Sequence, residues 1–115
     1  MAREVHQYGH HRKHNPLEVG TVKESAIEAR LVREVRKRGG LTYKFVSPGA
    51  AGVPDRIIIA PGGQIWFVEL KTDTGHLSRM QTYQIGLLER VGCKVAVTYG
   101  LDSLLTLLGV IFGEV

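Results

Sequence analysis

The chain is expected to fold as a single α/β domain, a mixed β-sheet covered by helices, and three observations lead there. Apolar residues recur at helical spacing between Ile27 and Val35 and again between Met80 and Val91. Two β-rich runs, Asp55 to Ala60 and Gln64 to Lys71, flank the tight turn Pro61-Gly62-Gly63. A nearly continuous apolar run, Cys93 to Tyr99, follows the second helical segment and suits a strand covered on both faces. A length of 115 residues holds one such domain and buries a modest core without disulfides or structural metal.

Residues 1–20 carry Tyr8, Pro16 and the histidines His6, His10, His11 and His14, with neither helical nor strand periodicity. They are expected to form a basic arm, flexible or ordered by a partner, ahead of one domain over residues 21–115. The histidines follow no zinc-ligand spacing and have no cysteine nearby, so a solvated tail is the expectation. Thr21 and Glu24 stand at capping-box spacing and open the first helix, which Gly39-Gly40 ends. Ile27, Leu31, Val32 and Val35 share one stripe of it. Glu28 falls inside that stripe, where a carboxylate needs a partner.

Leu41 to Val46 alternates as a strand, and 47–54 is then a loop. The two runs around Pro61-Gly62-Gly63 form an antiparallel hairpin. Ser78 to Val91 is expected to be an amphipathic helix with Met80, Tyr83, Leu87, Leu88 and Val91 on its apolar side, crossing over to a parallel strand from Cys93 to Tyr99. Asp102 then caps a last helix whose apolar residues run from Leu104 to Ile111.

The formal net charge is +4, and ten of the fifteen Lys and Arg residues lie between Arg3 and Lys44. That asymmetry favours an anionic partner such as nucleic acid, although a solvated basic face explains charge alone equally well. No apolar run approaches the roughly 20 residues that cross a bilayer, and Met1 is not followed by a secretory signal. Cys93 is the single cysteine, which excludes an internal disulfide. An intracellular, cytoplasmic protein without membrane contact is therefore expected.

The hairpin register carries the chemistry. With a three-residue loop, Ala60 pairs with Gln64, and counting back sets Asp55 opposite Glu69 on one face of the sheet. Opposed residues have Cβ atoms about 4.5–5.5 Å apart, so both carboxylates can grip one cation. Lys71, two residues on, projects from the same face. A loop of different parity pairs Asp55 with Leu70 and breaks the cluster. Like charges facing each other destabilise a sheet, and a hard divalent ion such as Mg²⁺ removes the difficulty.

Taken in order, Gly52-Val53-Pro54-Asp55, an apolar strand, Glu69-Leu70-Lys71, and Leu77-Ser78 with Gln81 resemble the VRR-NUC (virus-type replication-repair nuclease) family of the PD-(D/E)XK superfamily. The resemblance takes in Glu28 and spans roughly residues 21–105. A typical member has an apolar residue after the aspartate, where this chain has Arg56. The resemblance implies a restriction-endonuclease-like core, a central mixed sheet flanked by helices. It implies metal held by Asp55, Glu69 and the backbone carbonyl of Leu70, with Glu28 completing the acidic cluster. Lys71 would orient or deprotonate the attacking water, and Gln81 would position water or Lys71. Mg²⁺ is the implied cofactor, replaceable by Mn²⁺, and a second ion about 3.5–4 Å away is compatible with this chemistry.

The activity implied is hydrolysis of DNA phosphodiester bonds in replication, repair or recombination, on branched or four-way junction DNA, by a homodimer, with a phage or mobile-element origin by resemblance. Arg30, Arg33, Lys37, Lys44, Ser47 and Arg56 are the residues expected to meet nucleic acid. The alternative is a non-catalytic nucleic-acid-binding module in which the acids are structural. A purely basic binder gains nothing from acids beside phosphate, which weighs against it. A subunit that docks through its last apolar helix is a third reading, equally explained by core packing.

Overall fold

A computed structural model of the chain describes residues 6–8 and 22–114. In chain order the elements are β1 (His6–Tyr8), α1 (Glu24–Lys37), β2 (Leu41–Lys44), β3 (Arg56–Ala60), β4 (Gln64–Lys71), α2 (Arg79–Arg90), β5 (Lys94–Tyr99) and α3 (Gly100–Ile111). The strands make one mixed sheet in the order β1-β5-β4-β3-β2. β2, β3 and β4 are antiparallel neighbours, while β5 runs parallel to both β4 and β1. The crossover from β4 to β5 passes through α2, as a parallel pair requires.

Alternation along the strands sorts the side chains onto two faces. Ile58, Ala60, Trp66, Val68, Leu70 and Ala96 point to one side and bury Ile27, Leu31 and Val35 of α1 with Leu104, Leu107, Leu108 and Ile111 of α3. Val95, Val97 and Tyr99 point to the other side and pack with Ile85 of α2, Phe67, Leu77 and Leu88. Asp55, Glu69 and Lys71 belong to this second, α2-covered face.

Several sequence expectations need correction. His6–Tyr8 is a strand on the edge of the sheet, paired with Ala96 to Thr98, although the arm shows no strand periodicity. Three backbone pairs on the parallel edge of the sheet need no apolar alternation. The remainder of the arm, its other histidines and Thr21 lie outside the described residues. α1 begins at Glu24 with Lys23 as its N-cap and no side-chain cap bond, so the Thr21–Glu24 capping box does not open it. α3 begins at Gly100 rather than behind an Asp102 cap, because the backbone N–H of Tyr99 is taken by Ser103 Oγ at 2.9 Å. α2 is turned on its axis relative to expectation. Ile85 and Glu89 are its buried residues, while Met80, Tyr83 and Val91 stand exposed. The apolar stripe and the packed face differ because, of the α2 side chains, it is Ile85 and Leu88 that pack against Val95, Val97 and Tyr99 of β5.

Candidate active site

β3 and β4 pair as Ala60↔Gln64 through Arg56↔Val68, the register expected for a three-residue turn. One further step along both strands brings Asp55 beside Glu69. Asp55 closes the loop before β3, where its carbonyl accepts from the N–H of Phe45 at 2.8 Å. Its Oδ2 accepts the backbone N–H of Leu70 at 2.9 Å, which ties the carboxylate to β4. Glu69 is only 2% exposed. Its Oε2 accepts Gln81 Nε2 at 2.9 Å and lies 3.5 Å from Lys71 Nζ. Its Oε1 is buried with no hydrogen-bond partner.

An ionised carboxylate so placed is poorly stabilised. Burial, and after it the charge of Asp55, pushes Glu69 up to about 8, against which Lys71 pulls downward. Burial and then the Glu69 charge also raise the Tyr99 phenol. The pair thus has a deficit of positive charge and an orphaned, inward-facing oxygen. Both fit a hard divalent cation, which takes oxygen donors and often binds through one or two carboxylates. No group of three or more His, Cys, Asp or Glu side chains poised for a metal occurs among the described residues.

The supporting residues come from the loops around β4 and α2. Ser78 caps α2 in a complete capping box: Ser78 Oγ accepts from Gln81 N at 3.1 Å, and Gln81 Oε1 accepts from Ser78 N at 2.8 Å. Both ends of the Gln81 amide are therefore engaged, one in the cap and one on Glu69, leaving its oxygen committed away from any water. Lys71 lies along Gly75, where an added Cβ would sit 3.2 Å from Lys71 Cβ. Asp73 packs its carboxylate against Gly100, the first residue of α3, where a side chain has no room and a helix N-terminus favours an anion. Sequence reading passed over Asp73, Gly75 and Gly100, since their partners become visible only when the loop folds back.

Gly52 has φ +88°, and a Cβ there would meet Met80 C at 2.6 Å, Met80 O at 2.7 Å and Gln81 N at 2.9 Å. The loop leading to Asp55 thus closes directly on the first turn of α2. Gly52→Ala combines left-handed strain with a backbone clash and is expected to cost about 2–4 kcal/mol, read as a lower midpoint in urea unfolding.

Glu28, expected beside the acids, is elsewhere. Arg56 alternates with Asp55 and faces α1, where it is 9% exposed and donates Nη1–H to Glu28 Oε2 at 3.2 Å. Its Nε and Nη2 both donate to Thr42 Oγ1 at 3.3 Å, and that hydroxyl donates to Ile57 O at 2.8 Å. Removing Glu28 leaves an uncompensated, nearly buried guanidinium. For fully buried pairs that costs about 3–5 kcal/mol, and the partial exposure of Glu28 lowers the figure here.

The residues expected to meet nucleic acid are accordingly divided. Arg56 is removed from that role by burial and pairing. Arg30 pairs with Glu34 at 3.0 Å. Arg33 and Lys37 are exposed on α1, which covers the face opposite Asp55 and Glu69, while Lys44 at the end of β2 is exposed and Ser47, in the loop after it, half-buried.

Comparison with known proteins gives a consistent picture. No protein-family model matches the chain. A solved structure described as "VRR_NUC domain" superposes with a TM-score of 0.70 at 27% identity, covering 74% of this chain and 92% of that one. A second, "VRR_NUC domain protein", gives a TM-score of 0.63 at 18% identity over 77% of this chain and 87% of that one, which speaks to the fold alone. A curated relative, "Putative nuclease p44" of Acyrthosiphon pisum secondary endosymbiont phage 1, is 60% identical over 50 residues, 44% of this chain. The matched segment spans 54% of that relative, about half its length.

Proposed function

We propose that this chain, which has the restriction-endonuclease-like fold of the VRR_NUC domain structures it superposes on, is a nuclease of that family that hydrolyses DNA phosphodiester bonds with a divalent metal. One observation carries the reading: the buried Glu69 stands beside Asp55 with Oε1 unpartnered and Lys71 at 3.5 Å from Oε2. Such an arrangement is costly for a structural role and useful for holding a cation against a phosphate. The similarity to a phage protein named as a nuclease supports the same class of activity.

Asp55, Glu69 and the Leu70 carbonyl are the groups we assign to the ion, and Mg²⁺, replaceable by Mn²⁺, suits their oxygen-only chemistry. When bound, the ion supplies Lewis acidity and lowers the pKa of water in its shell. The chain's own residues do the rest. The Leu70 N–H holds Asp55 in one orientation. Gln81 occupies Glu69 Oε2 and so leaves Oε1 as the free donor atom. Lys71, with its side chain 17% exposed, presents an ammonium to the substrate side and offsets charge developing on the phosphoryl oxygens as water attacks phosphorus.

DNA, and branched DNA in particular, is the substrate proposed from the family resemblance. The net charge of +4 agrees with a polyanion. The test incubates the full chain with labelled linear, nicked, flapped and four-way DNAs, with and without Mg²⁺. The expected result is metal-dependent cutting that favours the four-way substrate and falls about 10²-fold or more in Lys71→Ala. Binding of DNA without cutting in Mg²⁺ or Mn²⁺ would return the chain to the class of non-catalytic modules.

A further inference from the structure

We infer that Glu28 belongs to Arg56 and not to the metal, so that Asp55 and Glu69 are the only carboxylates on the ion and the chain holds a single one. This rests on the metal-binding reading above and deepens it. Side-chain alternation is the first ground. Asp55 and Arg56 are consecutive, so Arg56 projects toward α1 while Asp55 projects toward α2, and Glu28 Oε2 is found 3.2 Å from Arg56 Nη1. The pair therefore lies across the sheet from Glu69, whose Oε2 is bonded to Gln81 of α2.

The second ground is competition. Arg56 is 9% exposed, and its other described contacts go to one neutral hydroxyl, Thr42 Oγ1. Among the described residues Glu28 is thus the anion paired with this nearly buried cation, and a metal could recruit it only by stripping that cation of its counter-charge. Third, no set of three or more ligand-type side chains gathers among the described residues, so the oxygen-bearing pair stands without a third acid. Together these make Arg56 the residue that decides the metal count, because it fixes the acid of α1 on the far side of the sheet.

The experiment is a calorimetric titration of the full-length chain with Mn²⁺, paired with thermal melts of the metal-free protein. Wild type is expected to bind one ion per chain. Glu28→Gln is expected to bind Mn²⁺ within about twofold of wild type while melting several degrees lower, and Asp55→Asn to lose Mn²⁺ binding at least tenfold. The double variant Glu28→Leu/Arg56→Leu removes both charges, so it should regain most of the lost melting temperature and still bind one ion. Two ions in wild type, or a tenfold weaker Mn²⁺ affinity in Glu28→Gln or in the double variant, would overturn the inference while leaving the metal-dependent nuclease standing. A wild type that binds no Mn²⁺ overturns both, and is read from wild type alone.

Discussion

Asp55→Asn and Glu69→Gln should each lower metal-dependent DNA cleavage by about 10³-fold or more, the scale expected when several kcal/mol of cation-mediated stabilisation is lost. The same two variants should fold, and Glu69→Gln should melt higher than wild type in the absence of metal at pH 8. It removes a buried charge that has no compensating partner on Oε1. Asparagine at 55 keeps an oxygen for the Leu70 N–H, whereas Asp55→Ala leaves that donor unsatisfied. The alanine variant is therefore expected to be about 1–3 kcal/mol less stable than the asparagine one. Differential scanning calorimetry of the metal-free variants, alongside a cleavage assay, separates the charge effect from the hydrogen bond. Full cleavage by both Asp55→Asn and Glu69→Gln would end the assignment of these acids.

The second large effect is on stability against pH. Glu69 is raised from 4.5 to about 8 in the folded chain, by burial and then by the Asp55 charge. A carboxyl whose folded pKa is raised binds its proton more tightly in the native state, so the native state gains from it at low pH. That contribution is fully present below about 4.5 and is lost as pH rises through about 8. The metal-free protein should accordingly lose on the order of 3 kcal/mol across this window, seen as a fall of roughly 10 °C in melting temperature. Saturating Mg²⁺ or Mn²⁺ should flatten the loss at the alkaline end, because a ligand that binds only the native state stabilises it by mass action. Glu69→Gln should remove most of the slope. A metal-free wild type whose melting temperature is level between pH 5 and 9 would show that Glu69 is not perturbed as described.

The meeting of Asp55 and Glu69 was legible because it depends on local parity. Pro61-Gly62-Gly63 is a three-residue turn, and each strand residue beyond it alternates face, so counting from Ala60↔Gln64 suffices. The burial of Ile27, Leu31 and Val35 followed from the same kind of local periodicity, at 3.6 residues instead of two. The need of Glu28 for a partner was also readable from the wheel. The partner was not, since Arg56 lies 28 residues away and reads in sequence as one more cation available to phosphate.

Long-range packing decided the rest. α2 carries two candidate apolar sides, and only the shape of the space above β5 selects Ile85 and Leu88 over Met80, Tyr83 and Val91. The contact of Gly52 with Met80 and Gln81, and the seat of Asp73 on Gly100, join segments that no periodicity links. By itself the sequence determined the order of the elements from α1 onward, the hairpin register and the face shared by Asp55, Glu69 and Lys71, because each follows from short-range backbone geometry. Only the tertiary structure decided which acid is orphaned and which is paired. Charge compensation depends on what lies across the sheet, and distance along the chain carries no record of that.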